Sequence, residues 1–448
     1  MRKNSLLVNA MALTLIFSGL MTGCAGISQN STKSTDTKAA ADTTAANKSS
    51  DNEKTDTVNI SFLNSKGDIA KQLEAAAEVF NSTNKDGIVV TIETATDSVN
   101  LKTKYASGNP CTINPIWPSY YTEYADKAKD LSQEDWVKNV DAKVLKKCTY
   151  NGKLIAFPYT FEGDGLIYNK TTIEKAIGKS FDPATIKSLS DLEELYKKIE
   201  AGGVTPVEIS SDSWSLGDHF IATAYETQSD PGAYAVTELQ SGAAKIEDNA
   251  TYKGLLDLLD LNKKYNIYKD SPMSSDYNTT DPENIATGKV AFWFNGSWTW
   301  ANISQFLTGD HANDEFGFLP LFADERTTNN ITVGVTNYLF IDTTKATKAQ
   351  QEAAGKFLNW LVSDSAGQDQ LVNKMGIIPA VNNITVQTDN DLNASIMGYL
   401  KAGNDLMFSD FPSDHGSVVG VLMQQYLAGV IDRDSLSKSI NEYFTSQK

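Results

Sequence analysis

The 448-residue chain has few of the residues that carry metal, redox or nucleophilic chemistry: three cysteines and three histidines. Asp218-His219 and Asp414-His415 are adjacent in sequence, which is not how a catalytic triad is recognised, and no G-x-S-x-G elbow accompanies them. H-E-x-x-H, C-x-x-C, EF-hand, P-loop and G-x-G-x-x-G motifs are all missing. No cofactor or metal is therefore expected, and the histidines are expected to be ordinary surface residues. Basic clusters are missing too. Lys and Arg number 39 against 56 Asp and Glu, a formal net charge of −17. A phosphate-binding surface needs clustered Lys and Arg, so nucleic acid is not an expected partner. No period of 20 to 50 residues repeats, and beyond residue 24 no apolar run is long enough for a membrane span.

What is present begins with an export signal. Arg2 and Lys3 precede an apolar stretch from Leu6 to Leu20, too short to span a bilayer, that ends in Leu20-Met21-Thr22-Gly23-Cys24. Small residues before a cysteine look like a bacterial lipobox, whose thiol receives diacylglycerol after cleavage. Residues 1–24 are read as lipoprotein signal and lipobox, with Cys24 the lipidated residue. Several acyl chains, palmitate among them, hold stably where one holds marginally. Residues 25–56 consist almost entirely of Ala, Ser, Thr, Asn, Lys and Asp and cannot bury enough apolar surface to fold. They read as a tether, which places the protein on the extracellular face of the cytoplasmic membrane. Cleavage removes two positive charges and no negative one. The remaining pair, Cys111 and Cys148, suits either an export-permitted disulfide or two buried thiols.

From residue 57 the pattern is that of a folded α/β chain, long enough for two cores. Strands are predicted at 57–64, 87–94, 206–210, 290–294 and 331–341. Helices are predicted around 69–80, 101–105, 190–200, 215–226, 250–264, 347–362, 391–401, 417–429 and 434–445. Residues 109–132 form a proline-interrupted stretch. Alternating strands and helices imply a parallel or mixed sheet covered on both faces, with ligands at the carboxyl ends of its strands.

The stretch GKVAFWFNGSWTWANI (288–303) holds three tryptophans and two phenylalanines in sixteen positions. Residues 290–294 alternate as a strand, Asn295-Gly296 are expected to turn, and Ser297 to cap a helix starting at Trp298. Trp300, Ile303, Phe306 and Leu307 then share the core-facing stripe. Trp298 points away from it by roughly 150° at 3.6 residues per turn. It stands at a strand-to-helix junction, where an indole offers a flat face to the C–H side of a pyranose. Packing of Trp298 against a neighbouring lobe is the competing reading.

Four blocks carry a family resemblance: NGKLIAFPYTFEGDGLIYNKTTIEKA (151–176), ATGKVAFWFNGSWTWANI (286–303), FGFLPL (316–321) and EAAGKFLNWLVSDSAGQDQLVNKMGIIPA (352–380). In this order, and over most of 57–448, the chain resembles the carbohydrate-type extracellular solute-binding proteins of ABC importers, including the maltodextrin-binding proteins. The resemblance implies a two-lobed, periplasmic-binding-protein-like α/β fold with a ligand cleft between the lobes and a hinge of crossover segments. On that pattern one lobe comprises 57–161 and 325–375, the other 162–324 and 376–448. Closure bends the crossovers near 162–165, 333–335 and 375–379, where Gly163, Gly165, Gly334 and Gly376 supply permissive backbone.

The same resemblance assigns sugar stacking to Trp298 and acceptance of sugar hydroxyls to Glu162. Trp117 and Trp214 stand where relatives carry further aromatic contacts, each also readable as core. Asn64 is either a sugar contact or a turn former, and Asp414 and His415 are C-terminal candidates. Pro110-Cys111-Thr112 departs from the Pro-Asp-Val of many relatives, and 119–124 has no clear counterpart. The implied function is capture of a mono- or oligosaccharide by a monomeric receptor and its delivery to the transmembrane subunits of an ABC permease. A polyamine or peptide ligand would require acidic cages instead. A surface glycosidase could use Glu162 and Asp164 as its carboxylate pair, but carboxylates also serve pure binders, because sugar hydroxyls are good donors to them. No enzymatic activity is expected. Sugar identity, linkage and affinity are not written in these residues.

Overall fold

The computed structural model describes residues 57–95 and 99–447. The export signal, Cys24 and the tether lie outside the described residues. Among those described, no helix is long and apolar enough to cross a membrane.

One mixed sheet organises the chain. Its strands are β1 (Val58–Asn64), β2 (Ile88–Thr94), β3 (Ile113–Ile116), β4 (Phe157–Asn169), β5 (Thr205–Glu208), β6 (Val290–Gly296), β7 (Phe316–Leu319), β8 (Ile331–Ile341) and β9 (Asp405–Met407). The main order is β2-β1-β3-β8-β4-β6-β5, with β9 beside β8 and β7 beside β4. Pairing is parallel at β1–β2, β1–β3, β5–β6 and β8–β9, and antiparallel wherever β4 takes part and between β3 and β8. The two long strands, β4 and β8, join the two lobes. All 13 residues of β4 are buried; it pairs with β8 over 157–164, with β6 over 164–168 and with β7 over 166–169.

Two apolar clusters flank this connection. The first gathers β1 to β3, the ends of β4 and β8 near them, and helices α1 (Ala70–Thr83) and α2 (Lys348–Ser363). In α1, Leu73, Ala76, Ala77 and Phe80 recur at three- and four-residue spacing and form its buried stripe. The second gathers β5, the segment 216–259 and helices α3 (His415–Leu427) and α4 (Arg433–Ser446). Strand β6 feeds both: Val290 and Trp293 pack in the first cluster, Ala291, Phe292 and Phe294 in the second. Each fully buried Leu or Phe contributes about 1.5–3 kcal/mol relative to exposure, so both cores are substantial.

Several local readings need correction. Residues 215–226 are not one α-helix: Ser215–Ile221 is a π-helix, followed by a short α-helical turn at Thr223–Glu226. Strand β6 runs through Asn295 to Gly296, since Gly165 and Asp164 of β4 pair with both residues and leave no turn there. Ser297 does not cap a helix. Ser297–Thr299 is 3₁₀ and α-helix begins only at Trp300, while Ser297 Oγ accepts a 3.4 Å bond from Gly163 N across the crossover. Within the proline-interrupted stretch lies strand β3. It meets β1 only at Phe62↔Ile113, so Pro115 removes no donor from that ladder. Cys111 and Cys148 are free and buried.

Candidate functional site

Where β4 and β8 cross between the lobes, register places Glu162 opposite Gly334 and Asp164 opposite Thr332. Residues two apart in a strand share a face, so both carboxylates are presented together. Glu162 is 6% exposed and Asp164 1%; buried charges at that level must be paired. Glu162 Oε1 accepts from Lys66 Nζ at 2.9 Å, and Oε2 accepts from Thr336 Oγ1. Thr336 is turned there by a register shift in β8 between Val335 and Asn337. Burial opposes the charge of Lys66, but Glu162 and Asp68 outweigh it and raise its pKa.

Asn64 braces the Lys66 end of this pair. It is buried, its Oδ1 accepts from Lys66 N at 3.0 Å, and its Nδ2 donates to Lys66 O and to Thr94 Oγ1. These bonds give Asn64 the turn-forming role that was one of its two expected readings.

Asp164 Oδ1 accepts from Thr332 Oγ1, and Oδ2 from His219 Nδ1 at 2.7 Å. His219 is therefore not a surface residue. The π-helix carrying it closes i→i+5 bonds, which brings Trp214 and His219, five residues apart, into edge contact at 5.8 Å. In an α-helix the same spacing would splay them by roughly 140°. The His219 ring also meets Trp298 at 4.6 Å and Phe408 at 5.7 Å, and Trp214 meets Tyr277 at 5.1 Å. An aromatic box thus stands over a carboxylate floor. Beneath it Glu226 is buried with its Oε2 unpaired; burial first, and the charge of Asp164 second, push its pKa well up.

Close approach requires glycine at two positions here. A Cβ on Gly296 would fall 2.1 Å from the benzo ring of Trp298, and one on Gly334 2.5 Å from the ring of Phe408. Of the four hinge glycines, only Gly376 has positive φ, at 65°. Gly163, Gly165 and Gly334 serve packing, not left-handed backbone.

Trp298 and Glu162 line one cavity of about 180 Å³ together with Lys66, Asp68, Gln72 and Trp300. Trp300 also packs on Phe316 at 5.8 Å, as the core stripe predicts. Trp117 lines a second cavity of about 330 Å³ with Tyr120, Asp218 and Phe411. Its indole Nε1 donates to Thr336 O at 3.1 Å, the residue that holds Glu162. A third, of about 430 Å³, lies past Pro118 and Tyr121 at Lys147 and Phe408. A larger cavity of about 490 Å³ at 203–206 and 266–271 contains none of the candidate residues.

Asp414 and His415 do not reach these cavities. Asp414 is exposed and accepts from the Tyr443 hydroxyl at 2.6 Å. His415 is fully buried, bonded to Tyr225 through Nε2 at 3.0 Å and to Asp218 through Nδ1 at 3.1 Å. It orients Asp218 from within the second apolar cluster's aromatic surroundings. The structure thus puts Trp298, Glu162 and Lys66 on one cavity and Trp117 on another, links Trp214, Tyr277, His219 and Phe408 to Trp298 through successive ring contacts, and leaves Asn64, Asp414 and His415 off these cavities. Sequence reasoning missed His219 because only π geometry turns it toward Trp214.

Comparison with known proteins follows this geometry. The model of the bacterial extracellular solute-binding protein family matches residues 75–394. RafE of Streptococcus pneumoniae in its apo form superimposes with a TM-score of 0.68 at 21% identity, covering 87% of this chain and 98% of that one. RafE in complex with raffinose gives a TM-score of 0.69 at 22% identity, over 87% and 99%. A Bacillus licheniformis sugar transporter in complex with stachyose gives 0.65 at 18% identity, over 87% and 100%. A probable sugar-binding periplasmic protein of Mesorhizobium japonicum is 26% identical over 133 residues, 28% of this chain. The chain spans only 31% of that curated relative's length. With the family model covering well over half of its residues, the chain belongs to the bacterial extracellular solute-binding proteins.

Proposed function

We propose that this protein captures a mono- or oligosaccharide between its lobes and hands it to the transmembrane subunits of an ABC permease, held at the membrane surface by lipid on Cys24. The observation that carries the reading is a single interlobe cavity joining an indole, Trp298, to a buried charged pair, Lys66 and Glu162. Flat apolar faces stack on sugar rings while fixed polar groups select hydroxyls. Relatives of the same fold in complex with raffinose and with stachyose support it. Both carboxylates of the crossover already have each oxygen bonded, which favours binding over hydrolysis.

The lobes of this reading are 57–161 with 325–375, and 162–324 with 376–448. Ligand favours the closed arrangement only through contacts better made there than in the open one. The test is a glycan panel read by melting temperature and tryptophan emission: one member should shift both in the wild type and neither in Trp298→Ala. A panel to which the wild type is indifferent would refute the reading.

A further inference from the structure

Trp298 borders the cavity it shares with Glu162 and is half-buried among other aromatic rings. The His219 imidazole lies 4.6 Å from the Trp298 ring at 44°, with the ring edges of Trp214 and Phe408 around it, and its Nδ1 is bonded to Asp164 Oδ2 at 2.7 Å. That combination, a planar group on an indole with a donor on a buried carboxylate, is what a pyranose ring with one hydroxyl would make in its place. The backbone bearing His219 cannot retreat. A Cβ on Gly217 would fall 2.8 Å from the Gly420 backbone of α3, one on Gly416 would fall 2.2 Å from Asp218 Oδ2, and His415 holds Asp218 from behind. The part that can move is the His219 side chain, which is 18% exposed. When it does, Asp164 Oδ2 becomes a buried acceptor without a partner, which is strongly unfavourable unless an incoming group donates to it.

We infer that His219 is the specificity-determining residue of the cleft: it occupies the ligand's position and is displaced by a molecule that presents a C–H face to Trp298 and a hydroxyl to Asp164 together. This rests on the carbohydrate reading. A merely apolar ring pays for the lost bond to Asp164, and a merely polar molecule loses the stack. Sites built around a buried polar group reject analogues lacking the matching donor far better than apolar pockets reject a missing methylene.

The experiment is calorimetric titration of wild type and His219→Ala with raffinose, stachyose and maltotriose, and with monodeoxy analogues of whichever binds. With no occupant to displace, His219→Ala should bind the sugar about tenfold tighter, and its discrimination against the deoxy analogues should shrink. His219→Asn, which keeps a donor for Asp164 but not the ring, should fall between. Unchanged or weaker binding by His219→Ala, with the wild type still binding, would overturn the inference and leave the carbohydrate reading standing. Failure of every sugar on all three proteins would instead remove that reading, and the inference with it.

Discussion

Lys66 Nζ and Glu162 Oε1 are 2.9 Å apart across the crossover, with the side chains only 11% and 8% exposed. Lys66 enters from the end of β1 and Glu162 from β4, so the pair ties the first lobe to the strand that leads into the second. Removing one partner of a buried pair leaves an uncompensated charge and is destabilising by about 3–5 kcal/mol. Lys66→Met should lower the urea midpoint accordingly, and Lys66→Met with Glu162→Gln should recover most of the loss. A single variant as stable as the wild type would show that the pair is solvated.

Glu208 and Asp281 make a second buried pair, in the second lobe. Burial first, then the hydrogen bond and charge of Asp281, push Glu208 up to about 10, and Asp281 is raised as well, by burial. Glu208 Oε1 and Asp281 Oδ2 are otherwise without a partner, and a proton shared between the two carboxyls is expected. The folded state holds this proton between about pH 4.5 and 10 while the unfolded chain releases it. Stability therefore falls as pH rises through that window. Glu208→Gln supplies a permanent donor, and should flatten the pH dependence of the melting temperature and stabilise the protein near pH 9. An unaltered slope would contradict the shared proton.

Burial pushes Cys111 up to about 11 and raises Cys148 further, and neither is in a disulfide. In a Cys24→Ser variant neither thiol should react promptly with Ellman's reagent, both should react after denaturation, and reductant should leave the melting temperature unchanged. A reductant-sensitive melting temperature would reveal a bridge.

His415 is structural. His415→Ala would leave the Tyr225 hydroxyl and a cavity behind, at about 2–4 kcal/mol, so equilibrium unfolding should register it. Asp414→Ala, which touches only Tyr443 and Gln447, should leave sugar affinity unchanged. Loss of binding in Asp414→Ala would return it to the site.

How much of this was legible follows from which physics acts locally. Strands 57–64, 87–94 and 331–341 were readable because β-branched residues run through them, and α1 because its apolar stripe repeats at helical spacing. Trp298 and Glu162 were named from the blocks that contain them, and both line one cavity. His219 was not: its place depends on a π-helix held open by the Gly217–Gly420 contact, a tertiary constraint from 203 residues away in the chain. Phe408 was equally hidden, because β9 is a three-residue half-buried strand recognisable only by its pairing with β8. His415 looked available because its cage of Tyr225, Phe411, Tyr443 and Phe444 is assembled from distant segments.

A crystal structure with the tightest-binding sugar tests the central claim most directly. The account predicts a sugar ring between the lobes, against Trp298 with His219 swung aside, and a hydroxyl on Asp164 or Glu162. A sugar seated instead in the larger cavity at 203–206 and 266–271, with the Trp298–His219 contact intact, would contradict it.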